Sequence, residues 1–115
     1  MKIDPEIVGY VATIPGEEPT YRTIDGAWAN ATDPYITFHR VAISEKYLGQ
    51  CFSKDLFSNA ITVGLNQGFH NFRVDTYELN QAMQTIAKQA GFAYRGIIKV
   101  NAPVHPERLA FELNL

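Results

Sequence analysis

The sequence predicts an α/β domain built on one mixed sheet, and three observations carry that reading. A nearly continuous apolar run, Tyr35 to Ser44, leads into an amphipathic stretch, Ser53 to Gln67. A second strand pattern, Asn71 to Thr76, precedes another amphipathic stretch that opens at Asn80 and stops at Gly91. Two further strand patterns follow, Phe92 to Val100 and Leu109 to Leu113. A strand covered on both faces reads as unbroken apolar residues, whereas a helix repeats its apolar positions every 3.6 residues.

Residues 6 to 14, EIVGYVATI, are rich in β-branched and aromatic side chains and predict the first strand. The segment PGEEPT breaks it. Tyr21 to Gly26 reads as a helical turn and Ala27 to Ala31 as a short strand; Trp28 there is most simply a partly buried aromatic. Asp33-Pro34 is a turn signal before the central strand.

In the helix that follows, Leu56, Phe57, Ala60, Ile61 and Gly64 form one stripe, with Leu65 extending it. Gly68 suits a C′ position. Asn80 predicts an N-cap for a helix with Ala82, Met83, Ile86, Ala87 and Ala90 on one side, closed by Gly91. The proline-bearing NAPVHPER predicts a long loop inside a final antiparallel hairpin. The middle strand, helix and strand should make a right-handed parallel crossover, with antiparallel strands flanking it. There are no repeats and no internal linker, so residues 1 to 115 read as a single domain.

Composition narrows the function classes. Hydrophobic content of 46% with 19% charged residues is that of a globular chain with an ordinary core. A net charge of -2 and the lack of a Lys/Arg cluster argue against nucleic acid as a partner. One cysteine leaves no internal disulfide and fits a reducing, cytoplasmic setting. No apolar run approaches the roughly 18 residues a membrane span needs, and MKIDPEIVGY lacks a signal-peptide pattern. His70 and His105 lie in loops without a third ligand at metal spacing, so no metal site is expected.

The stretch HRVAISEKYLGQCFSKDLF carries the chemistry. A strand runs through a short polar loop into a helix N-terminus, which bears about +0.5 elementary charge and unpaired N–H groups, a setting suited to a diphosphate. Here the run HRVAISEKYLGQ, with FRVDTYELNQAMQTIAKQAGFAYRGIIKV and RLAFE after it, resembles the C-terminal two-thirds of a GNAT-superfamily N-acetyltransferase over roughly residues 36 to 113. The resemblance implies a GNAT-like acyl-CoA N-acyltransferase fold lacking the first strand and first two helices. It implies acetyl-CoA as cosubstrate, held where the central strand and the next parallel strand splay apart. Its pantetheine arm would pair with the backbone of Val41 to Ile43. Its pyrophosphate would sit on the loop and helix start, Gly49, Gln50, Cys51, Phe52 and Ser53. Asn80 matches a family asparagine that often touches the cofactor. An amine would attack the thioester directly, helped by a base and by oxyanion donors.

The sequence departs from the family pattern in that loop. Leu48 stands at the Arg/Gln position, Cys51 at the first glycine and Ser53 at the final Gly/Ala, leaving Gly49. Cys51 places a Cβ and a sulfur where backbone should approach phosphate. Lys46 would be a cation nearby, or simply a solvated side chain. The tyrosine that many members use as general acid is replaced by Ala87. Tyr77 and Glu78, just past the second parallel strand, are acid–base candidates. His39 is another, although a hydrogen-bonded core histidine is its plainer reading. Alternation puts His39 and Arg40 on opposite faces. Asp75 reads as a structural carboxylate before a base. Two readings follow: an acetyl-CoA-dependent N-acetyltransferase acting on an amine, or a catalytically inactive GNAT-like protein acting through oligomerisation. A missing strand would leave a sheet edge bare, which predicts a homodimer.

Overall fold

The structure, a computed structural model, describes residues 2–3, 6–7, 9–43 and 52–115. The strands are β1 (Lys2–Ile3), β2 (Glu6–Ile7), β3 (Gly9–Pro15), β4 (Asp25–Gly26), β5 (Ile36–Ile43), β6 (Asn71–Thr76), β7 (Ala93–Lys99) and β8 (Glu107–Asn114). Two helices, α1 (Phe52–Asn66) and α2 (Gln81–Gln89), follow β5 and β6. β1 and β2 pair with each other, and the remaining six strands form one sheet in the order β3-β5-β6-β8-β7-β4. Among the described residues only β5 and β6 are parallel neighbours; the other pairings are antiparallel. No helix among the described residues is long and apolar enough to cross a membrane.

The two core helices and four of the long strands fall within a residue or two of the predicted bounds. Asn80 caps α2 by accepting the Met83 amide at 3.2 Å. Gly68 and Gly91 follow the two helices at φ 91° and 100°, where a glycine carries no Cβ penalty. Three elements near the N-terminus differ from the expected ones. The single strand predicted over residues 6 to 14 divides, its first residues pairing with Lys2–Ile3 instead. The turn over Tyr21 to Gly26 is a shorter 3-10 turn, Pro19–Tyr21, opened by Pro19 and by the Glu18 carboxylate that accepts the Thr20 amide at 2.8 Å. The short strand is Asp25–Gly26, not Ala27 to Ala31, because the amides of Ala29 and Asn30 go to the Glu112 carboxylate rather than to a ladder.

Alternation along the strands divides the sheet into two faces. Ile36, Phe38, Phe72, Val74, Phe111 and Leu113 face α1 and α2 and meet Phe57, Ala60, Ala87 and Phe92. Phe38 is the centre, with the rings of Phe57, Phe92 and Phe72 at 5.3, 5.8 and 5.9 Å. α1 approaches closely at Gly64, where a Cβ would lie 2.5 Å from the Phe72 ring. Leu65 and Ala82, assigned to the apolar stripes, are exposed; each lies off the side that meets the sheet.

The segment between β3 and β5 covers the opposite face. Tyr21, Tyr35, Ile98 and Ala110 form its core, with Ile24, Trp28 and Val100 packed on them. The Trp28 indole donates to the Tyr21 carbonyl at 3.0 Å, and the Glu18 amide donates to the Tyr35 hydroxyl at 2.7 Å. Arg73, buried on this face, donates to the Asn30 carbonyl at 2.8 Å and lies between the Trp28 and Tyr35 rings.

Candidate functional site

The parallel contact between β5 and β6 is short. It runs over Ile36–Phe72, Thr37–Arg73 and Phe38–Val74, and no further pair joins the strands among the described residues. β5 continues along β3 as far as Ile43–Gly9, while β6 continues along β8 as far as Thr76–Leu109. The sheet therefore forks after Phe38 and Val74. A bulge lies on the β5 arm: Tyr10 opposes Ala42 but Ala12 opposes His39, so β5 carries one more residue than β3 there. A bulge bends its strand and increases its twist, which turns β5 out of the plane it shares with β6. Strict alternation fails at such a point, so His39 and Arg40 are not assigned to opposite faces by period alone.

Beyond the fork, the β5 edge that faced β6 carries backbone groups with no β6 partner among the described residues. Such groups demand hydrogen bonds from water or from an extended ligand laid alongside. Val41 and Ile43 lie on this arm. Phe52 and Ser53 open α1. Gly49, Gln50 and Cys51, with Lys46 and Leu48, lie outside the described residues.

The other acid–base candidates gather at the same end of the sheet. Tyr77, half-buried, follows β6; its ring lies 6.1 Å from that of His105 and beneath the Arg108 guanidinium at 5.3 Å. Arg108 also donates to the His105 carbonyl at 2.6 Å, holding a residue whose φ of 52° is left-handed. Glu78 is exposed, and its carbonyl accepts the Gln84 side chain at 2.7 Å. Asn80 has its side-chain oxygen engaged as the cap of α2. Among the described residues no group of three His, Cys, Asp or Glu side chains is arranged to hold a metal.

Sequence reasoning missed Tyr21. Its hydroxyl donates to Asp75 Oδ1 at 2.6 Å, and Asp75 is the first β6 residue past the last parallel pair. Burial, and then the Asp75 charge, push the Tyr21 hydroxyl well above its ordinary pKa, so it stays a donor. The two residues are 54 positions apart, and no local pattern links them. A half-open cavity of about 550 Å³ lies beside Tyr21, lined also by Trp28, Tyr35 and Arg73.

No family model and no curated protein matches the chain. Solved structures do. A GNAT-family acetyltransferase from Streptococcus agalactiae is 32% identical, with a TM-score of 0.80 over 98% of this chain and 62% of its own. NAA60 from Arabidopsis thaliana, solved with acetyl-CoA, is 12% identical, with a TM-score of 0.71 over 96% of this chain and 67% of its own. The ribosomal-protein-S18-alanine N-acetyltransferase of Escherichia coli is 17% identical, with a TM-score of 0.59 over 70% of this chain and 54% of its own. The chain spans less than two thirds of the length of the Streptococcus protein. Its forked mixed sheet with two helices is the GNAT acetyltransferase fold.

Proposed function

We propose that this chain, carrying the GNAT fold, binds acetyl-CoA in the fork and transfers the acetyl group to an amine by direct attack. The observation that supports this best is the early end of the β5–β6 ladder at Phe38–Val74, with β5 running on to Ile43. An opening between parallel strands, at their C-terminal ends and beside a helix N-terminus, suits an extended arm ending in a diphosphate. The pantetheine amides pair with the backbone of Val41 and Ile43. The diphosphate takes the amides of Gly49, Gln50, Cys51, Phe52 and Ser53. Asn80, already a helix cap, closes the nucleotide side. The setting is cytoplasmic, where the lone Cys51 stays reduced.

Isothermal titration with acetyl-CoA tests the reading. Binding at micromolar affinity upholds it, and no heat at millimolar concentration ends it. Cys51→Gly should tighten binding, because it removes the Cβ that keeps the backbone from the phosphates. No gain in Cys51→Gly combined with Ser53→Gly would mean that these side chains are not what limits the site.

A second reading, an inactive GNAT-like protein that acts by oligomerising, is favoured by a different feature. The outer edge of β3, seven residues long, has no partner strand among the described residues. A bare edge of that length is a template for another chain, and we propose a homodimer paired along it. Gel filtration at micromolar concentration returning a monomer would refute the dimer.

A further inference from the structure

Two buried polar groups on the face away from the helices are left without a hydrogen bond. Arg73, 3% exposed, and Thr37, 1% exposed, are partners in the parallel ladder, and alternation turns both away from Phe38, Phe72 and Val74. Among the described residues neither Arg73 Nε nor Thr37 Oγ1 has a partner. A buried donor in that state destabilises the fold, and a buried charge does so more strongly unless an opposite charge meets it. Among the described residues no carboxylate pairs with Arg73; its acceptors, the Asn30 carbonyl and the Tyr35 hydroxyl, are neutral. The carboxylate that acts on it from a distance is Glu112, whose oxygens go to Arg95, Asn114 and the amides of Ala29 and Asn30. This strip of the sheet therefore holds a cation and more donors than acceptors.

Arg73 also lines the half-open cavity of about 550 Å³, together with the rings of Tyr21, Trp28 and Tyr35. The cavity belongs to the paired stretch of β5 and β6, since Tyr35 precedes the first parallel pair and Arg73 sits in the second; the fork begins beyond Phe38 and Val74. Three exposed charged residues stand at its rim: Glu17, ion-paired with Arg22, and Asp33, which accepts the Asn30 side chain at 2.8 Å. We propose that this cavity binds a small aromatic monocarboxylate, its ring among the three aromatic side chains and its carboxylate on the Arg73 guanidinium. The planar fork of a guanidinium matches a carboxylate, and rings of this kind take a further ring edge-on or offset. The volume lies within the range of small-molecule sites. Charge sets the class: Glu17 and Asp33 balance Arg22 and Arg73, so a single negative charge at the inner end is matched, whereas a dianion would meet two carboxylates on its way in. The site stands whether or not acetyl-CoA occupies the fork.

Isothermal titration and fluorescence of the full chain test it, with phenylacetate as the probe and phenylacetamide and phenyl phosphate beside it. Trp28 is the chain's one tryptophan and lines the cavity, so its emission reports occupancy there. Phenylacetate should bind with a submillimolar Kd and shift that emission. Phenylacetamide lacks the charge and phenyl phosphate carries a second one, so each should bind about tenfold more weakly. Arg73→Lys keeps the charge without the planar fork and should weaken phenylacetate about tenfold. Ala31→Phe fills the rim at an exposed position away from Arg73, and should weaken phenylacetate to the same degree, about tenfold, with the melting temperature unchanged. No heat and no emission change from wild-type protein in millimolar phenylacetate would overturn the proposal. So would phenylacetamide binding as tightly as phenylacetate, phenyl phosphate binding more tightly than either, or an Ala31→Phe variant that binds phenylacetate as wild type does. Should Arg73→Lys not fold, the Ala31→Phe and phenylacetamide comparisons decide the matter without it.

Discussion

The Arg95 guanidinium meets the Glu112 carboxylate at 2.9 Å across a second bulge, where β7 carries one residue more than β8. Glu112 is buried, and four donors converge on it: Arg95, Asn114 at 3.1 Å, and the amides of Ala29 at 2.7 Å and Asn30 at 3.2 Å. Burial pushes its carboxyl up. The hydrogen bonds from Asn114, Ala29, Arg95 and Asn30 outweigh that effect and hold it below the ordinary value. A carboxyl depressed on folding stabilises the protein above its unfolded pKa, and that stabilisation is lost as pH falls through the folded one. Denaturant titrations should therefore show stability declining below about pH 4.3, the ordinary glutamate value. Glu112→Gln should cost about 2 kcal/mol at pH 7 and flatten that decline. An unchanged acid limb would assign the decline to other carboxylates.

Arg73 offers a spectroscopic test. Its guanidinium carbon lies 3.8 Å from the Tyr35 ring centroid and 4.0 Å from that of Trp28. Burial lowers its pKa, and the two aromatic faces with the Asn30 carbonyl offset the lost water. Lysine keeps the charge but not the plane, so Arg73→Lys should destabilise by about 1–2 kcal/mol. Trp28 is the chain's one tryptophan, and its emission should shift to the red as the covering segment loosens. Emission identical to wild type would refute the stacking role.

Gly64→Ala sets two effects against each other. Alanine favours a helix interior by about 1 kcal/mol over glycine. The new Cβ, however, would meet the Phe72 ring at 2.5 Å and Ile36 Cδ1 at 2.9 Å, and overpacking there costs about 1–3 kcal/mol. The net prediction is destabilisation, read as a lower melting temperature. Gly68→Ala has open space around it, so strain at φ 91° alone should cost about 1 kcal/mol.

Asn80→Ala separates capping from cofactor contact. Loss of the bond to the Met83 amide should cost about 1 kcal/mol of stability. A parallel loss of acetyl-CoA affinity, measured below the melting range, would add the ligand contact; unchanged affinity would leave only the cap.

The sequence made the sheet and both helices legible where residues repeat with a fixed period. Phe57, Ala60 and Gly64 pack on the sheet as the stripe implied, and Asn80 caps as its position implied. Residues 16 to 35 were not legible in the same way. Tyr21, Trp28 and Tyr35 follow no period, since what orders them is Arg73, Asp75 and Glu112 on distant strands. The candidate site divides similarly: the central strand and helix N-terminus were readable as a local succession, whereas the Tyr21–Asp75 contact needs the fold.

Among the described residues three pairs stitch β5 to β6, so the sheet there consists of two leaves sharing a narrow seam. One leaf is β3 with β5; the other is β8, β7 and β4 behind β6. With so few ladder pairs shared between them, the amides of the two leaves should exchange with deuterium at different rates. A molecule wedged into the seam's open end would bridge both, making the two sets of exchange rates converge.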